Sequence, residues 1–302
     1  MTDHATISHE RQTQRAVSDY WFLMKPELTS LSVFSALASA YLAVPSGDPL
    51  PAGRLLLLAA GTMLGGGGAA ALNQFIERMR DASMMRTQKR PLASGRLTPR
   101  QGLVFGVTIA VAGVALLAAF VDPLSAVLTA LTIVMYVGLY TPLKRITSVS
   151  TIVGAIPGAL PVLIGWTAIS HAVTLAAMSL FAIVYYWQMP HFYALAWLYR
   201  NDYSKGGFKF LSTIDVTGAK IGRHVVVNLI VLLLAGCLPY QFGIASLPYL
   251  IGAAAAGAAF LAAGIVFAAS VGRESQKKAR MLFFASLAYL PIVLVLLIVF
   301  KR

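Results

Sequence analysis

The amino-acid sequence predicts an all-α protein that crosses a lipid bilayer several times. Of its 302 residues, 58% are hydrophobic and only 12% are charged, whereas a soluble domain carries about 25% charged residues. Apolar windows of about 20 residues, the length at which a helix spans a bilayer, recur along the chain. The windows are continuous and do not alternate with polar residues, which indicates a helical bundle and not a β-barrel.

The apolar windows predict nine transmembrane helices in one domain that occupies residues 1–302. In chain order, the predicted helices are Leu28–Val44, Leu55–Ile76, Gly102–Val121, Pro123–Tyr140, Val149–Ala168, Ala172–Met189, Val225–Tyr240, Leu247–Ala269 and Met281–Phe300. Residues 1–20 contain no apolar segment, so we expect a short cytoplasmic tail and no cleavable signal peptide.

The basic residues lie at one end of this predicted bundle. With nine helices and a cytoplasmic N-terminus, all 24 lysine and arginine residues except Arg54, Lys301 and Arg302 fall in cytoplasmic segments. The positive-inside rule predicts this asymmetry. The net charge of +13 therefore requires no nucleic-acid partner, and we expect a multi-pass protein of the cell inner membrane embedded in the lipid bilayer.

The polar residues concentrate in three segments that follow predicted helices 2, 4 and 6, and these three helices end on the same side. The segments are Asn73–Arg100, Tyr140–Thr147 and His191–Lys209. The loops at the opposite end are short and nearly uncharged. A transporter needs access from both sides of the membrane, so this one-sided distribution favours an enzyme.

Predicted helix 2 ends in a carboxamide and two carboxylates at steps of four residues: Asn73, Glu77 and Asp81. Each step of four rotates a side chain by only about 40° around the helix axis, so the three share one face. Hard oxygen ligands suit Mg²⁺ that is held jointly with substrate phosphates. The two acids could instead be helix-end residues that pair with Arg78 and Arg80. Ionisable groups at this depth are costly, which favours a functional site.

Basic residues near this face would complement a diphosphate group. Lys144 and Arg145 are the best placed, and Arg78 and Arg86 are further candidates. Their spacing along the chain alone does not decide which of them reaches the site.

The N-x-x-x-E-x-x-x-D pattern closely resembles the N-x-x-x-D-x-x-x-D motif of the UbiA superfamily of intramembrane prenyltransferases. Two other blocks are similar to its protoheme IX farnesyltransferase branch: RT-x-x-RPL-x-x-GR within Met84–Pro99, and the P-H-F block of Met189–Leu211. The resemblance also includes Trp21–Ala43 and Tyr140–Trp166, and by motif it covers most of residues 20–215.

The resemblance implies a nine-helix UbiA-type bundle that transfers the farnesyl group of farnesyl diphosphate to a vinyl group of heme B. Water is added, the products are heme O and diphosphate, and the step belongs to heme O and heme A biosynthesis for terminal oxidases. The implied cofactor is Mg²⁺, held by Asn73, Glu77, Asp81 and Asp202, with Lys144 stabilising the leaving diphosphate. A downstream heme-modifying enzyme is a candidate partner that no residue pattern indicates.

Two positions depart from the superfamily pattern. Glu77 stands where the family usually has Asp, which keeps the carboxylate but moves it outward by one methylene. Of the second D-x-x-x-D motif only the later acid, Asp202, is present, because Leu198 occupies the earlier position. This leaves a leaner second metal site, and the sequence does not decide between one and two Mg²⁺ ions.

His191 lies at the predicted end of helix 6, near the level of the site. It could ligate the heme iron, hydrogen-bond a propionate or accept the proton of the adding water, and Tyr203 is assigned with it to heme binding. The alternative without a function is a histidine that caps polar groups at a helix end. Gly65–Gly68 either allow close helix packing or leave room for substrate, and Lys205–Gly207 is expected to cap the site.

Three other functions fit parts of the sequence. A prenyltransferase acting on a quinone precursor or a chlorin would share the metal site but not the P-H-F block. A transporter or heme-delivery protein would need a polar path across the membrane, and the outer halves of the predicted helices offer almost none. An assembly factor that only binds heme would not need the Asn73, Glu77 and Asp81 set.

Overall fold

The computed structural model describes residues 17–215, 217–270 and 275–302, and these residues are almost entirely helical. Most of the predicted tail, including Arg11 and Arg15, lies outside the described residues, as does Arg273. In the described part, every predicted helix coincides with a helix of the structure. The long helices are α1 (Pro26–Ala43), α2 (Ala52–Asp81), α3 (Pro99–Phe120), α4 (Pro123–Ile133), α5 (Ser150–Ser170), α6 (Leu175–Leu198), α7 (Ala219–Ala235), α8 (Leu247–Ser270) and α9 (Ser275–Val299).

Seven helical segments within the described residues are long and apolar enough to cross a membrane, namely those that contain α2 to α5 and α7 to α9. The chain is therefore a multi-pass membrane protein, while the count of nine spans stays a prediction. Helices α1 and α6 do not reach the same apolarity. Both carry polar side chains that face an internal cavity, including Ser32 and Ser35 on α1 and Gln188 on α6.

Several helices begin where the sequence supplies a capping residue. Thr98 and Gln101 form a capping box at the start of α3. Asp122 accepts a hydrogen bond from the backbone nitrogen of Ser125 at 2.8 Å and so caps α4. Proline in the first turn of α1, α3 and α4 supports these starts because its missing N–H group needs no partner there.

Small residues set the close packing of the first helices. An added Cβ at Gly68 of α2 would lie 2.6 Å from the backbone nitrogen of Ala110 in α3. An added Cβ at Gly65 would meet the methyl group of Thr129 in α4 at 2.7 Å. The glycine run therefore allows neighbouring helices to approach α2 closely, as small residues do in membrane bundles.

Helices α5 and α6 form the centre of the bundle. Helix α5 packs against α1, α4 and α6, and α6 packs in addition against α7 and α9. The largest buried cluster includes Leu160 and Ile164 from α5, Ile183 and Trp187 from α6, and Leu290 from α9. This arrangement leaves the cavity between α1, α2, α4, α5 and α6.

The predicted end of helix 6 at Met189 was wrong. Helix α6 continues through Pro190 to Leu198, so His191 lies inside a helix and not at its end. Proline is tolerated inside membrane helices because neighbouring groups satisfy the backbone that it frees. Helix α2 likewise extends beyond its predicted end, to Asp81, which keeps all three oxygen-bearing side chains on regular helix.

Helix α4 changes its winding near the site. After Ile133 it continues as a π-helix, Val134–Tyr140, and then as a short α-helix, Thr141–Leu143. Pro142 cannot donate a backbone hydrogen bond, and the N–H of Thr141 reaches back five residues to the carbonyl of Tyr136. Such wide turns are frequent at functional sites.

Candidate functional site

The three polar segments predicted from the sequence converge on one cavity of about 350 Å³. The cavity borders α2 from Thr62 to Asp81, a stretch of about 28 Å at the helical rise. Its Asp81 end is polar and charged. Toward Thr62 the walls become apolar, with Pro161, Ile164 and Leu290 among the lining residues.

Helix α2 presents Asn73, Glu77 and Asp81 to the polar end of the cavity. All three are buried, with 1%, 6% and 1% of their surface exposed. The even steps of four on an unbroken helix bring them to one face, as helical geometry requires. The carboxamide and the two carboxylates therefore form a single row of buried oxygen atoms.

Each side chain in this row contacts a cation from another segment. Lys25 Nζ donates a hydrogen bond of 2.8 Å to Asn73 Oδ1. Arg90 Nη1 donates to both carboxylate oxygens of Asp81, at 2.9 Å each. Lys144 Nζ lies 2.7 Å from Glu77 Oε1 as an ion pair. The angles of that last contact are not those of a hydrogen bond, so Glu77 Oε1 is buried without one among the described residues.

The backbone of Lys25, whose side chain contacts Asn73, is strained. It precedes Pro26 and has φ +48°, in the left-handed region that lysine rarely adopts. A residue before proline also prefers extended backbone, so this conformation is costly. Burial, together with the nearby charge of Arg90, lowers the pKa of Lys25 to about 7 against a raising effect of Glu77. Strain and an unfavourable charge at one residue are typical of functional sites.

The π-helix after α4 and the residues that follow it form another wall of the site. Tyr136, Tyr140 and Lys144 all line the cavity, and the ammonium group of Lys144 lies 4.5 Å from the centre of the Tyr140 ring. Asn73 Nδ2 donates a hydrogen bond of 3.0 Å to Thr141 Oγ1, which in turn donates to the carbonyl of Tyr136. The π-helix is thereby tied directly to the row of oxygens on α2.

The segment after α6 covers the polar end. Phe208 and Phe210 line the cavity and belong to a small cluster of buried residues. The backbone nitrogen of Lys209 donates to the carbonyl of Lys144 at 2.8 Å. Gly207 has φ +68°, a conformation that glycine adopts without strain. The residues of the predicted cap, Lys205–Gly207, are not among the cavity-lining residues, and Phe208 and Phe210 make the contact.

Asp202 is not among the cavity-lining residues and contacts the loop after α2. Its Oδ1 accepts a hydrogen bond from the backbone nitrogen of Met85 at 3.0 Å, and its Oδ2 accepts one from that of Arg86 at 3.4 Å. Within the described residues, no group of three Asp, Glu, His or Cys side chains is placed to hold a metal ion. In this structure the carboxylate holds the 83–87 loop, and the metal role of Asp202 stays a prediction.

The other predicted basic residues divide into two groups. Lys144 and Arg86 line the cavity, and Arg86 Nη2 donates to the Tyr203 hydroxyl at 3.0 Å. Arg78 and Arg145 are not among the cavity-lining residues. Arg78 instead donates to the carbonyl of Phe75 at 2.7 Å, because its position on α2 is one residue away from the Glu77 direction.

His191 and Gln188 lie one helical turn apart on α6 and both line the cavity. The His191 ring stacks on Trp187, with centroids 5.3 Å apart, and its Nδ1 lies 2.8 Å from Ser286 Oγ on α9. Tyr203 also lines the cavity. The two residues assigned to heme binding thus border the same space as the oxygen row.

Sequence reasoning missed several residues of the site. Arg90 is the second arginine of the RT-x-x-RPL block, so the motif contained a signal for it. Lys25 lies in the Trp21–Ala43 block, where the positive-inside rule alone explains its charge. Tyr136, Gln188 and Ser286 are ordinary members of apolar helices, and no sequence pattern singles them out.

The residues present fit a bound Mg²⁺ ion. The donor set is three buried oxygen-bearing side chains, each already in contact with a cation, and Glu77 Oε1 has unused hydrogen-bonding capacity. Carboxylate and amide oxygens are the ligands that Mg²⁺ prefers. Four basic side chains, those of Lys25, Arg86, Arg90 and Lys144, line the cavity beside only two carboxylates. The site therefore has an excess of positive charge that suits a polyanion.

Comparison with known proteins gives a consistent result. Residues 32–288 match the model of the UbiA prenyltransferase family. A protein from Opitutus terrae named protoheme IX farnesyltransferase is 42% identical, over 93% of this chain and 94% of the relative. A protein of the same name from Solibacter usitatus is 38% identical, over 91% of this chain and 96% of the relative.

Solved structures show the same fold. A structure described as that of digeranylgeranylglyceryl phosphate synthase superposes with a TM-score of 0.75 at 15% identity, over 94% of this chain and 97% of that chain. A UbiA homolog from Archaeoglobus fulgidus, bound to GPP and Mg²⁺, superposes with a TM-score of 0.65 at 12% identity, over 93% of this chain and 99% of that chain.

Proposed function

Because the chain belongs to the UbiA prenyltransferase family, we propose that it transfers the farnesyl group of farnesyl diphosphate to a vinyl group of heme B. Water is added and the products are heme O and diphosphate. Relatives named protoheme IX farnesyltransferase, 38–42% identical over most of the chain, support this acceptor. The main structural observation in its support is the row of buried oxygen atoms and basic groups at the polar end of an apolar cavity.

The polar end would hold the diphosphate. Lys144, Arg90 and Lys25 lie against the oxygen row, and Arg86 lines the same space. Cleavage of the allylic C–O bond places negative charge on the leaving diphosphate. Fixed cations in a site of low dielectric stabilise that charge strongly, because little water competes with them.

Asn73, Glu77 and Asp81 would hold Mg²⁺ at the same end. When bound, the ion would supply Lewis-acid stabilisation of the diphosphate. The UbiA homolog from Archaeoglobus fulgidus is bound to GPP and Mg²⁺, which supports this assignment. Asp202 is left out of the proposed ligand set because its carboxylate is occupied by the amides of Met85 and Arg86.

The apolar part of the cavity would take the isoprenoid chain and the porphyrin. Gly65, Gly66, Gly158 and Pro161 line it without long side chains. Water must be kept from the allylic cation until the vinyl carbon attacks. The cover formed by Phe208 and Phe210 at the polar end would help to exclude it.

We place the polar end at the cytoplasmic face of the cell inner membrane. The loops at that end carry most of the basic residues of the chain, as the positive-inside rule requires. The substrates would then enter from the cytoplasmic side, and the lipid bilayer surrounds the single domain. A downstream heme-modifying enzyme would be the natural acceptor of the product.

The test is a direct assay of the purified protein in detergent. Heme B, farnesyl diphosphate and Mg²⁺ are supplied, and the products are separated by chromatography and identified by mass spectrometry. We expect farnesylated, hydrated heme that is lost when EDTA is added. Parallel reactions replace heme B by an aromatic quinone precursor or a chlorin.

Two outcomes would contradict the proposal. Turnover with the quinone precursor but not with heme would keep the diphosphate site and change the acceptor. Full turnover in the presence of EDTA would show that farnesyl transfer does not require Mg²⁺.

A further inference from the structure

The side chain of His191 is held by helix α9, which lies far from it in sequence. Ser286 is completely buried, and its Oγ lies 2.8 Å from His191 Nδ1. The carbonyl of Ser286 accepts a hydrogen bond of 2.7 Å from Trp187 Nε1, and the Trp187 ring stacks on His191. One residue of α9 thus fixes both the imidazole and the ring that supports it.

The hydrogen bonds around Ser286 favour one tautomer of His191. A serine hydroxyl has a single proton to donate, and that of Ser286 is donated to the carbonyl of Phe283. With that donation, Ser286 Oγ accepts from His191, which favours the neutral imidazole that carries its proton on Nδ1. Its Nε2 keeps a lone pair, and the ring borders the cavity.

Gln188, one turn earlier on α6, offers a second acceptor. Its Nε2 donates to the carbonyl of Val184 at 3.1 Å and to that of Ala155 at 3.3 Å. Both amide hydrogens are thereby used, and Oε1 is left as an acceptor. Any Cβ at Gly158 on α5 would collide with this oxygen, so the glycine gives Oε1 its place at the cavity wall.

We infer that Ser286 is a positioning residue that keeps His191 Nε2 unprotonated, so that Nε2 and Gln188 Oε1 together hold the water that adds to the heme-derived cation. The inference rests on the proposed function and assigns one role to His191 among those open to it. Two acceptors would take both hydrogens of the water. The oxygen lone pair would then point away from them, toward the reacting carbon.

Farnesyl transfer followed by addition of water needs no reagent beyond the two substrates and the water. The farnesyl C1–O bond breaks and its electron pair leaves with the diphosphate. The vinyl π pair forms the new C–C bond and leaves a cation on the carbon next to the porphyrin ring. A lone pair of the water forms the C–O bond, and its proton passes to His191 Nε2 as general base. If no water is held, the cation loses a proton instead and gives an alkene lighter by one water.

The tautomer of His191 can be measured independently of turnover. The protein is prepared with nitrogen-labelled histidine, and the His191 signals are assigned by comparison with His191→Gln. We expect a protonated Nδ1 and an unprotonated Nε2 in the wild type, and a mixture of both tautomers in Ser286→Ala. A protonated Nε2 in the neutral wild-type ring would overturn the inference, whether or not the protein transfers farnesyl groups.

The second readout is the ratio of hydrated to dehydrated product. Ser286→Ala should lower kcat by about tenfold or more and raise the share of alkene, with an unchanged KM for farnesyl diphosphate. Ser286→Thr keeps the hydroxyl and should restore the ratio. Ser270→Ala is the matched control, because Ser270 Oγ also donates to a carbonyl three residues earlier, that of Phe267.

The outcomes separate the inference from the proposed function. An unchanged product ratio in Ser286→Ala, with normal wild-type activity, would overturn the inference and leave the farnesyl transfer intact. A shift of the heme absorption band in His191→Gln that is absent from Gln188→Ala would assign Nε2 to the iron and overturn its role as base. Farnesyl transfer to a different acceptor would reject the proposed function, and the tautomer measurement would still decide the role of Ser286.

Discussion

At the scale of single residues, the site is a set of matched pairs. Each oxygen-bearing side chain on α2 faces one cation: Asn73 faces Lys25, Glu77 faces Lys144 and Asp81 faces Arg90. A buried charge without a partner is costly, so the two ion pairs of Glu77 and Asp81 stabilise the site before substrate binds. The same cations are the groups that a diphosphate would contact.

Replacing Lys144 by Ala should raise the KM for farnesyl diphosphate by about 10- to 100-fold, the value of a charged hydrogen bond in a buried site. The affinity for heme should change little, because Lys144 contacts Glu77 at the polar end. Steady-state kinetics with each substrate varied in turn measures both effects. Lys144→Arg keeps the charge, so its KM for farnesyl diphosphate should rise less than that of Lys144→Ala. Lys220→Ala removes an exposed lysine at the start of α7 and serves as the control. An equal loss for both substrates would place Lys144 outside the diphosphate site.

Asp202→Ala should reduce kcat far less than Asp81→Ala does. The Asp202 carboxylate holds the backbone of Met85 and Arg86, so its loss loosens a loop without removing a ligand of the oxygen row. The activity at saturating Mg²⁺ is compared for the two variants, together with the Mg²⁺ concentration needed for half activity. If Asp202→Ala raises that concentration as much as Asp81→Ala does, Asp202 belongs to the metal site after all.

The row on α2 could be predicted because helical periodicity alone brings residues four apart to one face. Arg90 and Asp202 could not be placed in the same way, since both lie in segments whose path is set by tertiary contacts. The bidentate contact of Arg90 with Asp81 and the capture of the Met85 amide by Asp202 are visible only in the folded chain.

At the scale of helices, the site depends on close approach and on one change of winding. The glycine run brings α1, α3 and α4 against α2, and the π-helix before Pro142 directs Tyr136 and Tyr140 to the cavity. The windows of apolar residues predicted the helices themselves. The π-helix and the continuation of α6 through Pro190 were not predictable, because neighbouring helices decide whether a proline ends, widens or merely interrupts a membrane helix.

Gly68→Ala should destabilise the protein by about 1–3 kcal/mol, the usual cost of overpacking. The added methyl group would meet the backbone of Ala110, which cannot rotate away as a side chain can. Thermal unfolding in detergent measures the effect. Gly53→Ala is the control, because a Cβ at Gly53 meets nothing within 4 Å. Equal melting temperatures for the Gly68 variant and the wild type would show that α2 and α3 are not held in this contact.

At the scale of the whole molecule, the two ends of the bundle have different tasks. The end that carries the oxygen row holds the cavity and most of the basic residues. At the opposite end, Asp122 pairs with His171 Nδ1 at 2.7 Å, and Arg54 lies 3.4 Å from the other ring nitrogen. These contacts join the starts of α2 and α4 to the end of α5 and form a structural clamp at the far end.

This clamp should make stability fall at acid pH. Burial raises the pKa of Asp122, but hydrogen bonds from His171 and from the backbone of Ser125 outweigh it and hold the pKa below its usual value. The carboxylate therefore contributes stability above its unfolded pKa and loses it as the pH falls through the lower, folded value. Asp122→Asn should melt at a lower temperature than the wild type near neutral pH. This difference in melting temperature should become smaller below about pH 4. Asp48→Asn, in an exposed loop, is the control. A difference in melting temperature that does not change with pH would contradict the ionic role of Asp122.

The central claim is that the oxygen row on α2 is the metal and diphosphate site of a heme farnesyltransferase. The most direct test measures the rate of farnesyl-heme formation in Glu77→Gln and Asp81→Asn, which remove the negative charge and keep the size of each side chain. We expect a loss of at least about 100-fold in proteins that remain folded by gel filtration and thermal unfolding. Glu27→Gln, an exposed acid in the first turn of α1, should keep full activity. Folded Glu77→Gln and Asp81→Asn proteins with wild-type rates would contradict the account.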